Sequence, residues 1–94
     1  MKLQYDQTAD ALYIRLREGV DVERTEHLVD GGTLLDLDLH GELVGIELIH
    51  PARAWALEDV LERFEVAAED AEVLRSLWPE GRAYPFAKPE LVLA

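Results

Sequence analysis

From Leu34 to Ile49 the chain alternates apolar and polar residues at period two on both sides of His40-Gly41. That is the repeat of a strand with one buried and one solvated face. A short glycine-containing break between two such runs specifies a β-hairpin, with Gly41 supplying the positive φ that tight turns need. Taking His40-Gly41 as a two-residue turn pairs Leu39 with Glu42, Leu37 with Val44 and Leu35 with Ile46. Asp38 then opposes Leu43, Asp36 opposes Gly45 and Leu34 opposes Glu47. A slip by one residue would send every apolar side chain to the wrong face, so the pattern fixes the register. The expected core is Leu35, Leu37, Val44, Ile46 and Leu48. The opposite face combines Asp36, Asp38 and Glu47 with apolar Leu34, Leu43 and Ile49. Gly45 lies among them, where a missing side chain admits a neighbour or marks a bulge.

The flanking sequence extends this sheet in both directions. Leu3 and Tyr5 alternate with Lys2 and Gln4, and residues 6–10 form a polar turn. Leu12, Ile14 and Leu16 then alternate with Tyr13, Arg15 and Arg17, completing a first hairpin. Glu18-Gly19 turns the chain. Residues 20–29 carry charges on both faces, the pattern of an edge strand that discourages further pairing. Asp30-Gly31-Gly32 is the next turn, and Pro51 ends the sheet because proline cannot continue a ladder. From Ala56 to Trp78 there is no glycine or proline. Leu57, Val60, Leu61, Phe64, Ala67, Ala68, Ala71, Leu74 and Trp78 recur at helical spacing. The small residues at 67, 68 and 71 weaken the stripe, so the segment reads as one helix or as two with a break near 66–70. Beyond it, Pro85 and Pro89 make the tail irregular. Its Tyr84, Phe86, Leu91, Val92 and Leu93 should dock on this chain or on a neighbour.

These elements predict an α+β fold, with a small antiparallel sheet of four or five strands built from hairpins. One long or two short C-terminal helices should pack on its dry face, since neither apolar surface can stay exposed. Residues 1–50 are the sheet region, and residues 51–94 are a helical extension and extended tail of the same compact domain.

Composition narrows the function. The 94 residues are one domain's worth, with a formal charge of −11. The acidity is spread along the chain, and the basic residues are scattered apart from Arg15 and Arg17. A phosphate-binding surface needs a basic stripe, so nucleic-acid binding by this chain alone is not expected. Without cysteine there is no disulfide framework and no thiolate chemistry. No apolar run approaches ~18 residues, so no membrane span is expected. The N-terminus runs straight into strand-like sequence with no signal peptide, which points to the cytoplasm. The apolar inventory exceeds what one thin layer hides, and this predicts a homo-oligomer, a dimer in the simplest case.

The first fifty residues resemble a known family. The matching pieces are Tyr5-Asp6, Ala9-Asp10-Ala11-Leu12-Tyr13-Ile14, Thr25-Glu26, Leu35-Asp36-Leu37-Asp38 and Gly41-Glu42-Leu43-Val44-Gly45-Ile46-Glu47. In that order they resemble the small bacterial and archaeal family catalogued as domain of unknown function 2283. The resemblance implies a small β-rich domain and no established activity. It also suggests an association with toxin–antitoxin pairs. The segment from His50 onward departs from the short family pattern as an added helical piece.

Little of the chain suggests catalysis. Asp36, Asp38 and His40 have the alternation of a metal site, with Glu47 diagonally across the hairpin. Side chains at i and i+2 on a strand stand ~6.5–7 Å apart. Ligand atoms around one ion lie within ~3–4 Å of one another, so a solvated strand face accounts for the same letters. No metal or other cofactor is expected. Asp6 and Asp10 flank the first turn and read as caps for its backbone N–H groups. Ser76 lacks a nucleophile elbow, and Gly31-Gly32 leads into a strand instead of a helix. His50, before Pro51, reads as a turn residue. Trp78 lies on the apolar helix stripe and should pack inward, whereas Trp55 stands at the junction, in the core or at an interface.

Three functions follow. The first is a non-enzymatic, acidic protein-interaction module, antitoxin-like in binding a basic protein partner. Its candidate contact surface is Leu34, Leu43, Gly45, Ile49 and Trp55. The second is a small metal-dependent or acid–base enzyme using Asp36, Asp38, His40 and Glu47. The third is a self-associating assembly element.

Overall fold

A computed structural model describes residues 1–79. The expectations placed on the tail, from Tyr84 to Leu93, lie outside the described residues. Five strands come first: β1 (Lys2–Asp6), β2 (Ala11–Arg15), β3 (Arg24–His27), β4 (Thr33–Leu37) and β5 (Leu43–Ile49). Two helices follow, α1 (Leu57–Arg63) and α2 (Ala68–Leu77). The strands form one antiparallel sheet in the order β1-β2-β5-β4-β3, which puts β3 at an edge, as its charge pattern requires.

The central hairpin keeps half of its expected register. Leu34 pairs with Glu47, Leu35 with Ile46 and Asp36 with Gly45, but Leu37 then pairs with Leu43. Val44 is the extra residue of a β-bulge, and the expected pairs Leu37–Val44, Asp38–Leu43 and Leu39–Glu42 do not form. The connection is a three-residue loop, not the two-residue turn. Asp38 N–H donates to the Glu42 carbonyl at 2.9 Å and Gly41 N–H to the Asp38 carbonyl at 3.0 Å, with Gly41 at φ +77°. Such loops end in a left-handed residue followed by a bulge. Leu39 consequently sits at the loop tip, 75% exposed. The bulge also reverses the parity of Leu43, moving it from the expected solvated face into the core, where it is 3% exposed. Leu35, Leu37, Val44, Ile46 and Leu48 are all buried, as their alternation predicts.

The helices cover the face carrying Leu12, Ile14, Leu35, Ile46 and Leu48. Leu57, Val60, Leu74 and Trp78 close the core from above. Each buried side chain of this size contributes ~1.5–3 kcal/mol. The apolar stripe breaks at Phe64, whose extended backbone (φ −125°, ψ 150°) separates the helices. Arg75 of α2 then reaches back to Glu58 of α1 through two bonds of 2.9 Å. Trp55 and Trp78 meet edge to face at 5.5 Å, and the Trp78 indole N–H donates to the Pro51 carbonyl at 2.9 Å. Trp55 is thus a core residue, 7% exposed, and the junction is anchored where the sheet ends.

Candidate functional site

The face turned away from the helices is built around one glycine. Arg15 of β2, Gly45 of β5, Asp36 of β4 and Thr25 of β3 follow one another across the sheet. Gly45 leaves its position empty, and the Tyr13 ring leans over it, filling the space that a Cβ would need. The Tyr13 hydroxyl donates to Asp36 Oδ2 at 2.8 Å, and the Thr25 hydroxyl donates to Asp36 Oδ1 at 2.7 Å. Burial, reinforced by the bond to Asp36, pushes the Tyr13 phenol up to about 12. Tyr13 therefore stays protonated as the donor, and both Asp36 oxygens are occupied. The glycine admits a neighbour, as its place on the face suggested.

Asp38 has different partners, at the start of the loop after β4. Its Oδ1 accepts the backbone N–H groups of His40 at 2.8 Å and Glu42 at 2.9 Å. Its Oδ2 pairs with the Arg17 guanidinium, which also donates to the Leu43 carbonyl at 3.0 Å. The Arg17 bond and the backbone N–H of Glu42 hold the Asp38 carboxyl down at about 2. His40 is exposed in the loop, and Glu47 faces Leu34 across the β4–β5 ladder. The loop and bulge thus separate the Asp36, Asp38 and His40 that simple alternation aligns. Among the described residues, no group of three or more His, Asp or Glu is placed to hold a metal ion.

A third carboxylate joins residues that lie far apart in sequence. Asp10 Oδ1 accepts from the Tyr5 hydroxyl at 2.7 Å, and Asp10 Oδ2 lies 2.8 Å from His50 Nδ1. The His50 N–H also donates to the Asp10 carbonyl at 2.8 Å. Both residues sit in the left-handed region, Asp10 at φ 48° and His50 at φ 57°. The Tyr5 bond, then the His50 bond, holds the Asp10 carboxyl below the usual carboxylate range. Sequence alone suggests a capping role for both Asp6 and Asp10. Asp6 does accept from Ala9 N–H at 3.2 Å, while Asp10 ties the first hairpin to the end of β5. Nothing periodic marks a contact across forty residues of sequence. The available signal is residue type alone, since Asp and His are among the residues enriched at positive φ.

The expected contact surface is redistributed. Leu43 and Trp55 belong to the core, and Gly45 lies beneath Tyr13. Leu34 and Ile49 are half-buried on the uncovered face. A hollow of 560 Å³ on the β1–β2 side is bordered by Gln4, Asp6, Tyr13 and Glu47. A second hollow of 560 Å³, more apolar, lies between β3 with its following loop and α1. Leu28, Val29, Ala56 and Val60 line its apolar part, and Val29 is fully exposed. Four carboxylates, Glu26, Asp30, Asp59 and Glu62, line it against the single guanidinium of Arg63. Arg63 is bound to Glu26 at 2.8 Å, and Asp30 is committed to Gly32 and Thr33 in the turn that follows β3, with Arg53 beside it at 3.7 Å. The exposed Asp59 and Glu62 carry the remaining charge of the rim.

Among the described residues no helix is long and apolar enough to cross a membrane. Comparison with curated proteins gave no match, and comparison with solved structures gave none either. Residues 2–50, which span all five strands and both ladders through Asp36 and Gly45, match a family model described as protein of unknown function (DUF2283). That match covers more than half of the chain, and the chain therefore belongs to this family.

Proposed function

We propose that this protein is a small, non-enzymatic interaction module that binds a basic segment of a protein partner. The observation that carries the reading is the hollow between β3 and α1, with its apolar floor and acidic rim. Asp36, Asp38 and Asp10 are engaged within the fold, each accepting at least two bonds from its own chain. A carboxylate held this way orders a fold and is poorly placed for proton transfer to a ligand. Asp59 and Glu62 are exposed and enter no ion pair among the described residues. They complement a lysine or arginine, while the half-buried Leu28 and the exposed Val29 complement an apolar neighbour. An antitoxin that masks a basic protein would use such a surface.

The test is fluorescence anisotropy with two labelled peptides, one alternating lysine with valine and one alternating glutamate with valine. The lysine peptide should bind and weaken with added salt. Reversing both rim charges (D59K with E62K) should weaken it by about tenfold or more. Equal binding of the two peptides, or indifference to the reversal, contradicts the reading.

Self-association is a second reading with its own support. Met1 and Leu3 on the β1 side and Val73 on α2 are each more than two-fifths exposed. The N-terminal ammonium lies 4.0 Å from Asp70, one helical turn before Val73, so these side chains occupy one seam. Analytical ultracentrifugation tests it: a monomer at ~100 μM contradicts a dimer of ordinary strength.

A further inference from the structure

We infer that the basic segment binds as an additional β-strand along β3. This rests on the interaction reading above and specifies how that site works. The direction of the backbone groups on β3 follows from the ladder. Leu28 N–H donates to the Thr33 carbonyl at 2.9 Å, and the register pairs Glu26 with Leu35 and Arg24 with Leu37. In an antiparallel pair alternate residues turn their N–H and C=O toward the partner and the others turn away. Arg24, Glu26 and Leu28 therefore bond to β4. Thr25 and His27 turn their backbone groups outward, at the edge of the sheet where no described strand lies. At the start of β3, Glu23 N–H also donates to the Leu37 carbonyl at 2.8 Å, a bulge that ends the usable edge on that side.

The free edge is therefore short: two residues, four backbone groups and a spacing of ~6.8 Å. An antiparallel segment pairing with Thr25 and His27 would make four backbone hydrogen bonds. Its residue opposite Glu26 would stand on the same side of the sheet as the Glu26 side chain, which is the helix side, because Glu26 reaches Arg63 of α1. That side chain enters the hollow beside Glu26, Asp59 and Glu62, where a lysine or arginine fits. Its two neighbours would face the opposite side, beside Thr25 and His27. The mode is strand addition, in which main-chain bonds give affinity and alternate side chains give specificity. The Glu26 charge on this edge disfavours an acidic or uncharged strand there and favours a basic one.

The test separates backbone pairing from charge attraction, using the lysine–valine peptide and the full chain. His27→Pro removes the outward N–H without touching a β4 bond, and His27→Ala keeps it. Strand addition predicts that His27→Pro weakens binding about tenfold or more while His27→Ala binds nearly as the wild type does. A peptide N-methylated at one alternate set of residues should lose binding, and the same peptide methylated at the other set should keep it. This second measurement decides the matter even if the proline variant fails to fold. Binding that survives His27→Pro and both methylation patterns overturns strand addition and leaves the interaction module standing. A wild-type protein that binds neither basic nor acidic peptide overturns both.

Discussion

The Tyr13 ring crosses β5 above Gly45 and delivers its hydroxyl to Asp36 on β4 at 2.8 Å. One missing side chain thereby permits a bond across three strands. Gly45→Ala should displace the ring and cost ~1–3 kcal/mol through overpacking. Tyr13→Phe keeps the ring and removes the donor, at ~0.5–1.5 kcal/mol. Because both changes break the same bond, urea unfolding of the double variant should show clear non-additivity, and strictly additive losses would contradict the arrangement.

Asp38 should govern part of the acid sensitivity. Its carboxyl is held at about 2 in the fold against 3.8 as the ordinary value. A depressed folded value means the stabilisation is fully present above the ordinary value and is lost as pH falls through about 4 to 2. Asp38→Asn keeps an oxygen for the turn N–H groups but loses the charge facing Arg17. Thermal melts against pH should show a lower Tm at neutral pH for the variant and a flatter decline between those limits. Parallel acid profiles for variant and wild type would refute this role.

His50 holds a left-handed backbone at φ 57° while bonding Asp10 with side chain and main chain. A β-branched residue there should be worse than glycine by ~1–2 kcal/mol, the cost of the left-handed region. Comparing His50→Val with His50→Gly in denaturant unfolding isolates the strain, since both lose the ring. His50→Gly should also raise the Asp10 carboxyl toward its ordinary range, which a carbon-detected NMR titration reads directly, because the His50 bond is one of the causes of its depression.

The Trp55–Trp78 pair seals the end of the core. Trp78→Phe preserves an aromatic ring but leaves the Pro51 carbonyl without its 2.9 Å partner, so ~1–3 kcal/mol should be lost. Trp78→Ala should lose ~3–5 kcal/mol. Near-UV circular dichroism of the phenylalanine variant should also lose the signal of the edge-to-face pair, which stands at 5.5 Å.

Much of this fold is legible in the alternation of Leu35, Leu37, Ile46 and Leu48, because a strand face repeats every two residues wherever the ladder is regular. The reading fails where regularity does. Between Asp36 and Leu37 the register shifts, and the three-residue loop behind it puts Leu39 in solvent and Leu43 in the core. Parity carries no information across a bulge. The helix break at Phe64 falls just before the weak stretch of small residues, where the stripe gives least direction. The site was less legible still. The hollow joins β3 to α1, about thirty residues apart, and neither segment alone is distinguishable from an ordinary charged surface. The bonds of Asp10 to Tyr5 and His50 likewise depend on tertiary placement that no local pattern encodes.

The proposed partner meets this protein along β3 and α1. Titrating the ¹⁵N-labelled full chain with the lysine–valine peptide and following amide chemical shifts locates that contact. Shifts should concentrate at residues 24–30 and 56–63, with the amides of Thr25 and His27 moving furthest and becoming protected from hydrogen exchange. Shifts confined to the face around Tyr13 and Gly45, or no shifts at all, would contradict it.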